Sequence, residues 1–188
     1  MSWKRLGRTR KCPAGIARYK IKNDRLYLWC SGTETREEWR WNFDVRTEKT
    51  AFGRVNRRDY AQAFAVIDAL NQALPGWSEY PVYTAGYSRG GAIAVIVALM
   101  VKDRWVRSAP DASFGTGVRF DPGVRLFAPK RAGIRLPRFA ALHSRGDLVP
   151  FLPFWYTGYD LLKFGRITWP WKAHLDALKT AAKWRASI

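Results

Sequence analysis

Residues 80–101 constrain this chain more than any other stretch. Tyr80-Pro81-Val82-Tyr83-Thr84-Ala85 leads into Gly86-Tyr87-Ser88-Arg89-Gly90-Gly91, and Ala92 to Val101 follow without a polar side chain. The first part predicts a buried strand, with Pro81 tolerated at its first residue. The last part predicts a helix covered on all sides, too short to cross a bilayer. Between them, Gly86-x-Ser88-x-Gly90 predicts a sharp strand-to-helix turn with strained backbone angles at the serine. Side chains at the flanking positions would collide with the neighbouring strand and helix, so small residues are needed there. Backbone N–H groups at the start of the helix then point toward whatever the serine oxygen meets.

A chain of 188 residues that is 47% hydrophobic is one globular domain with a proper core. Its formal net charge of +18 sets up a field for anionic partners: acidic phospholipid, nucleic acid or an anionic cell-wall polymer. Ten tryptophans suggest a surface that meets lipid or a partner protein. Cys12 and Cys30 make no disulfide framework and no metal-ligand spacing, so they are read as free thiols. No metal and no cofactor is implied. The basic N-terminus lacks an apolar stretch behind it, which argues against a secretory signal, and no segment is long enough for a membrane span. The expected location is therefore cytoplasmic or virion-associated.

Residues 1–15 are expected to form a basic arm, broken by Pro13 and Gly15, and residues 16–188 a single domain. Ile16–Lys22 and Arg25–Ser31 predict two strands joined at Asn23-Asp24. The second ends in Ser31-Gly32-Thr33, a small polar turn that suits the carboxyl edge of a sheet, where α/β folds place their sites. The segment from Glu37 to Lys49 is mixed and aromatic, a short helix or lid-like piece. Arg58–Leu74 predicts a helix with Tyr60, Phe64, Ile67 and Leu70 at helical spacing, ended by Pro75-Gly76. Residues 102–122 read as mostly loop. Strands are expected at Val124–Ala128 and Phe139–Ser144, an aromatic-rich segment over 151–171, and a closing helix over Ala173–Trp184. Strands alternating with helices predict an α/β fold: α/β-hydrolase-like, a mostly parallel doubly wound sheet with helices on both faces.

A serine on such a turn is a poor nucleophile unless a histidine takes its proton and a carboxylate orients the histidine. In α/β-hydrolases these follow in the order serine, acid, histidine. The chain has two histidines. His174 lies last, and of the five acids between it and Ser88, Asp147 directly follows a predicted strand. Ser88, Asp147 and His174 are therefore the candidate triad. His143 is the competing base, although it lies within a strand and precedes the acid. The N–H of Arg89, the residue after the serine, is one oxyanion donor. Thr33 is the best candidate for the second, with Ser31 and Gly32 near it. The Arg89 side chain is expected to point to solvent, with an anionic headgroup as its alternative contact. Tyr87, Trp39, Trp41, Phe151 and Trp155 are candidate substrate-lining residues, with core packing the expected role of most of the other rings.

Four segments in order resemble the class 3 lipases, the fungal-type triacylglycerol lipases of the α/β-hydrolase superfamily. Trp29-Cys30-Ser31-Gly32-Thr33 with Trp39 resembles their strand and Arg-Gly-Thr or Arg-Gly-Ser turn. Gly86-Tyr87-Ser88-Arg89-Gly90-Gly91 resembles their Gly-His-Ser-Leu-Gly-Gly box, with Tyr87 and Arg89 as departures. Phe127 to Gly133 is similar to their Gly-x-Pro-x-x-Gly segment, and Asp147 to Pro153 to their Asp-x-Val-Pro-x-x-Pro segment. The resemblance implies that Thr33 is the oxyanion residue, that Asp147 is the catalytic acid and that His174 is the late histidine. It covers roughly residues 24 to 180. The implied activity is hydrolysis of a lipid ester, phospholipid included, at an anionic membrane surface. A catalytically weak hydrolase-fold protein that binds membrane or nucleic acid is the alternative, with nucleic acid the less favoured partner. Oligomeric state is not legible.

Overall fold

The computed structural model describes residues 2–7, 15–32, 44, 46–50, 53–108, 118–122, 126–127, 140–144 and 162–164, and positions 172, 179, 182, 183, 185 and 186 near the C-terminus. The frame is a seven-stranded sheet. It contains β1 (Lys4–Leu6), β2 (Ala17–Lys22), β3 (Arg25–Cys30), β6 (Val82–Ser88), β7 (Val118–Pro122), β9 (Ala140–Ser144) and β10 (Leu162–Phe164), side by side in that order. The first three strands pair antiparallel. From β3 onward every pairing is parallel. A second, three-stranded antiparallel sheet holds β4 (Thr47–Thr50), β5 (Gly53–Asn56) and β8 (Leu126–Phe127). The sheet is thus mostly parallel, as expected, with an antiparallel edge.

Local chemistry explains the hairpin and both long helices. Asn23 and Asp24 both adopt positive φ, 50° and 52°, which the two-residue hairpin turn between β2 and β3 requires and which Asn and Asp tolerate. Helix α1 (Arg57–Ala73) starts where the Asn56 side chain accepts hydrogen bonds from the N–H groups of Arg58 (3.0 Å) and Asp59 (3.1 Å). Asn56 is fully buried, and its amide donates to the Asp44 carbonyl at 2.6 Å. Helix α2 (Arg89–Ser108) is buried at every position from Ala92 to Leu99 and again at Val101. That is why its sequence carries no polar residue there. Its packing on β6 and on α1 joins Ile93, Val97, Leu26, Leu28, Val82, Val66 and Leu70 in one core.

Several expectations shift. The segment read as a structureless basic arm contains β1, because Leu6 is buried in the core while Lys4 and Arg5 stay exposed. The stretch read as loop over 102–122 holds the last two turns of α2 and strand β7. Of the strand expected at Val124–Ala128, the described residues Leu126–Phe127 are a strand and join the smaller sheet; the others lie outside the described residues. Within the aromatic-rich segment, Leu162–Phe164 is the parallel edge strand β10. In α1 the buried stripe is Asp59, Ala63, Val66 and Leu70, and Phe64 is turned outward. Trp29 and Trp77 are buried, Trp29 within the strand expected to be central, with Trp77 Nε1 donating to Asn71 at 2.8 Å. Trp3 Nε1 donates to the Arg185 carbonyl at 3.3 Å and the Arg185 guanidinium lies over Trp29, 5.2 Å from the ring centre, so the two ends of the chain meet. Cys30 is free and buried; Cys12 lies outside the described residues.

Candidate active site

Ser88 is the last residue of β6, and α2 begins at Arg89. Its φ is +53°, the left-handed region that an L-residue with a Cβ enters at a cost of roughly 1–2 kcal/mol. The strand register also breaks here: Tyr87 faces Phe120, but Ser88 faces Pro122. The strain is held from both sides. A Cβ on Gly86 would overlap the carbonyl of Gly90, and a Cβ on Gly90 would overlap the carbonyl of Cys30. The two glycines of the pentapeptide therefore let β6, α2 and the end of β3 come within backbone contact. The Ser31-Gly32 turn sits against the same place, since a Cβ on Gly32 would come 2.9 Å from the Tyr87 carbonyl.

Ser31 is used elsewhere. Its hydroxyl donates to the Gly15 carbonyl at 3.0 Å and its N–H to the Ile16 carbonyl at 3.1 Å, tying the end of β3 to the start of β2. Cys30 is no rival nucleophile. Burial pushes its thiol up to about 12, so it stays protonated at neutral pH.

Arg89 corrects an expectation. Its side chain is 2% exposed, and Nε donates to Asp59 Oδ1 at 2.7 Å; the Asp59 side chain is 1% exposed. The guanidinium therefore enters the interior instead of reaching solvent or a headgroup. Asp59 lies in the first turn of α1, where a carboxylate is favoured by the helix dipole. Arg89 opens α2, where a cation is disfavoured unless a counter-charge stands beside it. The pair offsets that cost and fastens α1 to the residue whose N–H follows the serine. Sequence reasoning missed Asp59. The signal was present: an acid on the same helical stripe as Ala63, Val66 and Leu70 needs a cation partner inside.

Tyr87 is half-buried on β6. His143 lies within β9, level with Lys163 of β10 and two strands from β6. Thr33, Trp39, Trp41, Asp147, Phe151, Trp155 and His174 lie outside the described residues. Among the described residues, no group of His, Cys, Asp and Glu could hold a metal ion, and no helix is long and apolar enough to cross a membrane.

The fold has counterparts among solved structures. Lip2 lipase from Yarrowia lipolytica superposes with a TM-score of 0.56 at 13% identity, over 88% of this chain and 65% of that one. The fold is that of the fungal lipases. A triacylglycerol lipase from Penicillium expansum gives 0.54 at 14% identity, over 80% and 63% of the two chains. Lipase II from Rhizopus niveus gives 0.54 at 17% identity, over 73% and 55%. This chain thus spans 55 to 65% of the length of these lipases. No protein-family profile and no curated protein sequence matches it. The lipase fold is accordingly reached with little sequence in common.

Proposed function

We propose that this chain is a serine hydrolase of the α/β type that cleaves a carboxylic ester of a lipid. The observation that carries the reading is Ser88 at φ +53° between a parallel strand and an apolar helix, with no room for a Cβ at Gly86 or Gly90. Strain of this kind persists only where the surroundings impose it, and it clusters at functional sites. The likeness to fungal triacylglycerol lipases supports the substrate class.

In the proposed reaction Ser88 Oγ attacks the ester carbonyl while His174 takes its proton and Asp147 holds the histidine. The N–H of Arg89 and Thr33 stabilise the oxyanion. The tetrahedral intermediate collapses, His174 hands the proton to the departing alcohol, and the acyl group remains on Ser88. A water activated by His174 then releases the acid. The parallel course of β6, β7 and β9 supports Asp147 as the acid. Tyr87 is level with Phe120 and Phe120 with Leu142, so β6 and β9 finish at one edge of the sheet. Asp147 follows the end of β9 by three residues. His143 is the next-to-last residue of β9, within a paired strand, which favours His174 as the base. Phospholipid as substrate, the doubly wound winding of helices on both faces, and the lining roles of Tyr87, Trp39, Trp41, Phe151 and Trp155 belong to the same proposal.

Hydrolysis of nitrophenyl esters of graded acyl length and of phospholipid vesicles tests it, with Ser88→Ala beside the wild type. The expected result is turnover by the wild type and a loss of at least about a thousandfold in the variant. Equal inactivity of both on every ester leaves only the alternative, a hydrolase-fold protein that binds an anionic surface.

A further inference from the structure

We propose that the outward face of the first half of α1, together with Arg46, is a docking surface for an anionic lipid bilayer. Phe64 is the large hydrophobic residue exposed among the described ones, at 51%. It does not belong to the helix's buried stripe, which is formed by Asp59, Ala63, Val66 and Leu70. At about 100° per residue Phe64 falls about 130° from the middle of that stripe, on one face with Arg57, Ala61 and Asp68. A helix that buries Ala63 and exposes Phe64 is not using its largest apolar side chain for folding. The ring is held in place: Tyr60, one turn earlier, meets it edge-on with 4.8 Å between ring centres. The hydrophobic element of the patch is thus pre-oriented, which lowers the entropy lost on docking.

Charge completes the surface. Arg57 and Arg58 are exposed at the start of α1, and Arg46 is exposed beside them. With Ala61 these three line an open hollow of about 310 Å³. Asp44 accepts hydrogen bonds from Arg46 (2.7 Å) and Arg58 (2.9 Å), which fixes two guanidiniums in place. One carboxylate against three guanidiniums leaves the hollow positive. An exposed aromatic ring beside a positive hollow matches a membrane surface, where the ring enters the acyl boundary and the cations meet anionic headgroups. A net charge of +18 gives the long-range attraction. A single-stranded polynucleotide would also use the cations and would stack a base on Phe64; one exposed ring offers a single stacking step, and the oligonucleotide arm of the test separates the two.

Asp59 bonds to Arg89 from the buried side of α1, so the helix lies between this patch and the Ser88 turn.

Co-sedimentation of the full chain with phosphatidylcholine vesicles, with and without phosphatidylglycerol, tests the proposal. A Ser88→Ala background keeps the lipid intact, so the result does not depend on the hydrolase reading. Phe64→Ser is expected to lower partition into anionic vesicles about tenfold, and Arg57→Gln about fivefold, with melting temperatures unchanged. Lys22→Gln removes the same charge at the β2–β3 hairpin, the opposite end of the sheet from Ser88, and is expected to change partition less than about twofold. The proposal is overturned if the parent chain ignores anionic vesicles, if Phe64→Ser binds as well as its parent, or if Lys22→Gln loses as much as Arg57→Gln. It is equally overturned if the patch variants lose a single-stranded oligonucleotide while keeping the vesicles, which would make the surface one for nucleic acid.

Discussion

Ser88 carries a conformational cost that its neighbours impose, and that cost is measurable. Glycine enters φ +53° freely, so Ser88→Gly should be more stable than Ser88→Ala by about 1 kcal/mol, both lacking hydrolytic activity. Equal denaturation midpoints for the two would mean that the turn is relaxed. Cys30 gives a second prediction at this scale. Its folded pKa of about 12 lies above the ordinary thiol value of 9.0, so the folded chain holds the proton more tightly than the unfolded one. The contribution of the neutral thiol is complete below pH 9 and is lost as pH rises from 9 toward 12. The stability gap between wild type and Cys30→Ala, followed by denaturant unfolding, should therefore narrow steadily across that interval; a constant gap would contradict burial as the cause. At the residue scale the sequence showed the need for Gly86 and Gly90, because only a close-packed turn uses that spacing. It did not show where the Arg89 side chain goes, because its partner, Asp59, lies thirty residues earlier on another helix.

Helices α1 and α2 are joined by that one buried ion pair in addition to apolar packing. Removing a single partner leaves an uncompensated charge inside, so Arg89→Ala should lose about 3–5 kcal/mol. Replacing both partners with apolar residues, Asp59→Leu with Arg89→Met, should recover most of the loss. Additive losses in the double variant would contradict the pairing. The contrast between α1 and α2 also explains which elements were legible. Ala92 to Val101 is apolar on every side, so its burial could be read directly. In α1 the spacing of Tyr60, Phe64, Ile67 and Leu70 was misleading at Phe64 alone: Leu70 is in the core and Tyr60 and Ile67 pack against it, but the core beneath takes Ala63 and Val66 and has no place for Phe64. Short strands were the hardest to read. Leu162–Phe164 exists as a strand because β9 offers it an edge, and three residues carry no period of their own.

At the scale of the whole molecule, the chain has a fungal-lipase fold in about three fifths of the length of its structural counterparts. A mostly parallel sheet with its serine turn at a carboxyl edge could be anticipated from the order of strands and helices alone. The antiparallel edge formed by β1 could not. It depends on Leu6 filling a core position that becomes visible only once β2 and β3 are paired. The central claim is that Ser88 is a nucleophile, and covalent capture tests it most directly. Wild-type protein treated with a fluorophosphonate should gain one phosphonyl group, found by peptide mass analysis on the peptide containing Ser88. Ser88→Ala should gain none under the same conditions. A wild-type chain that stays unmodified, or one modified at another residue while Ser88 remains free, would contradict the account.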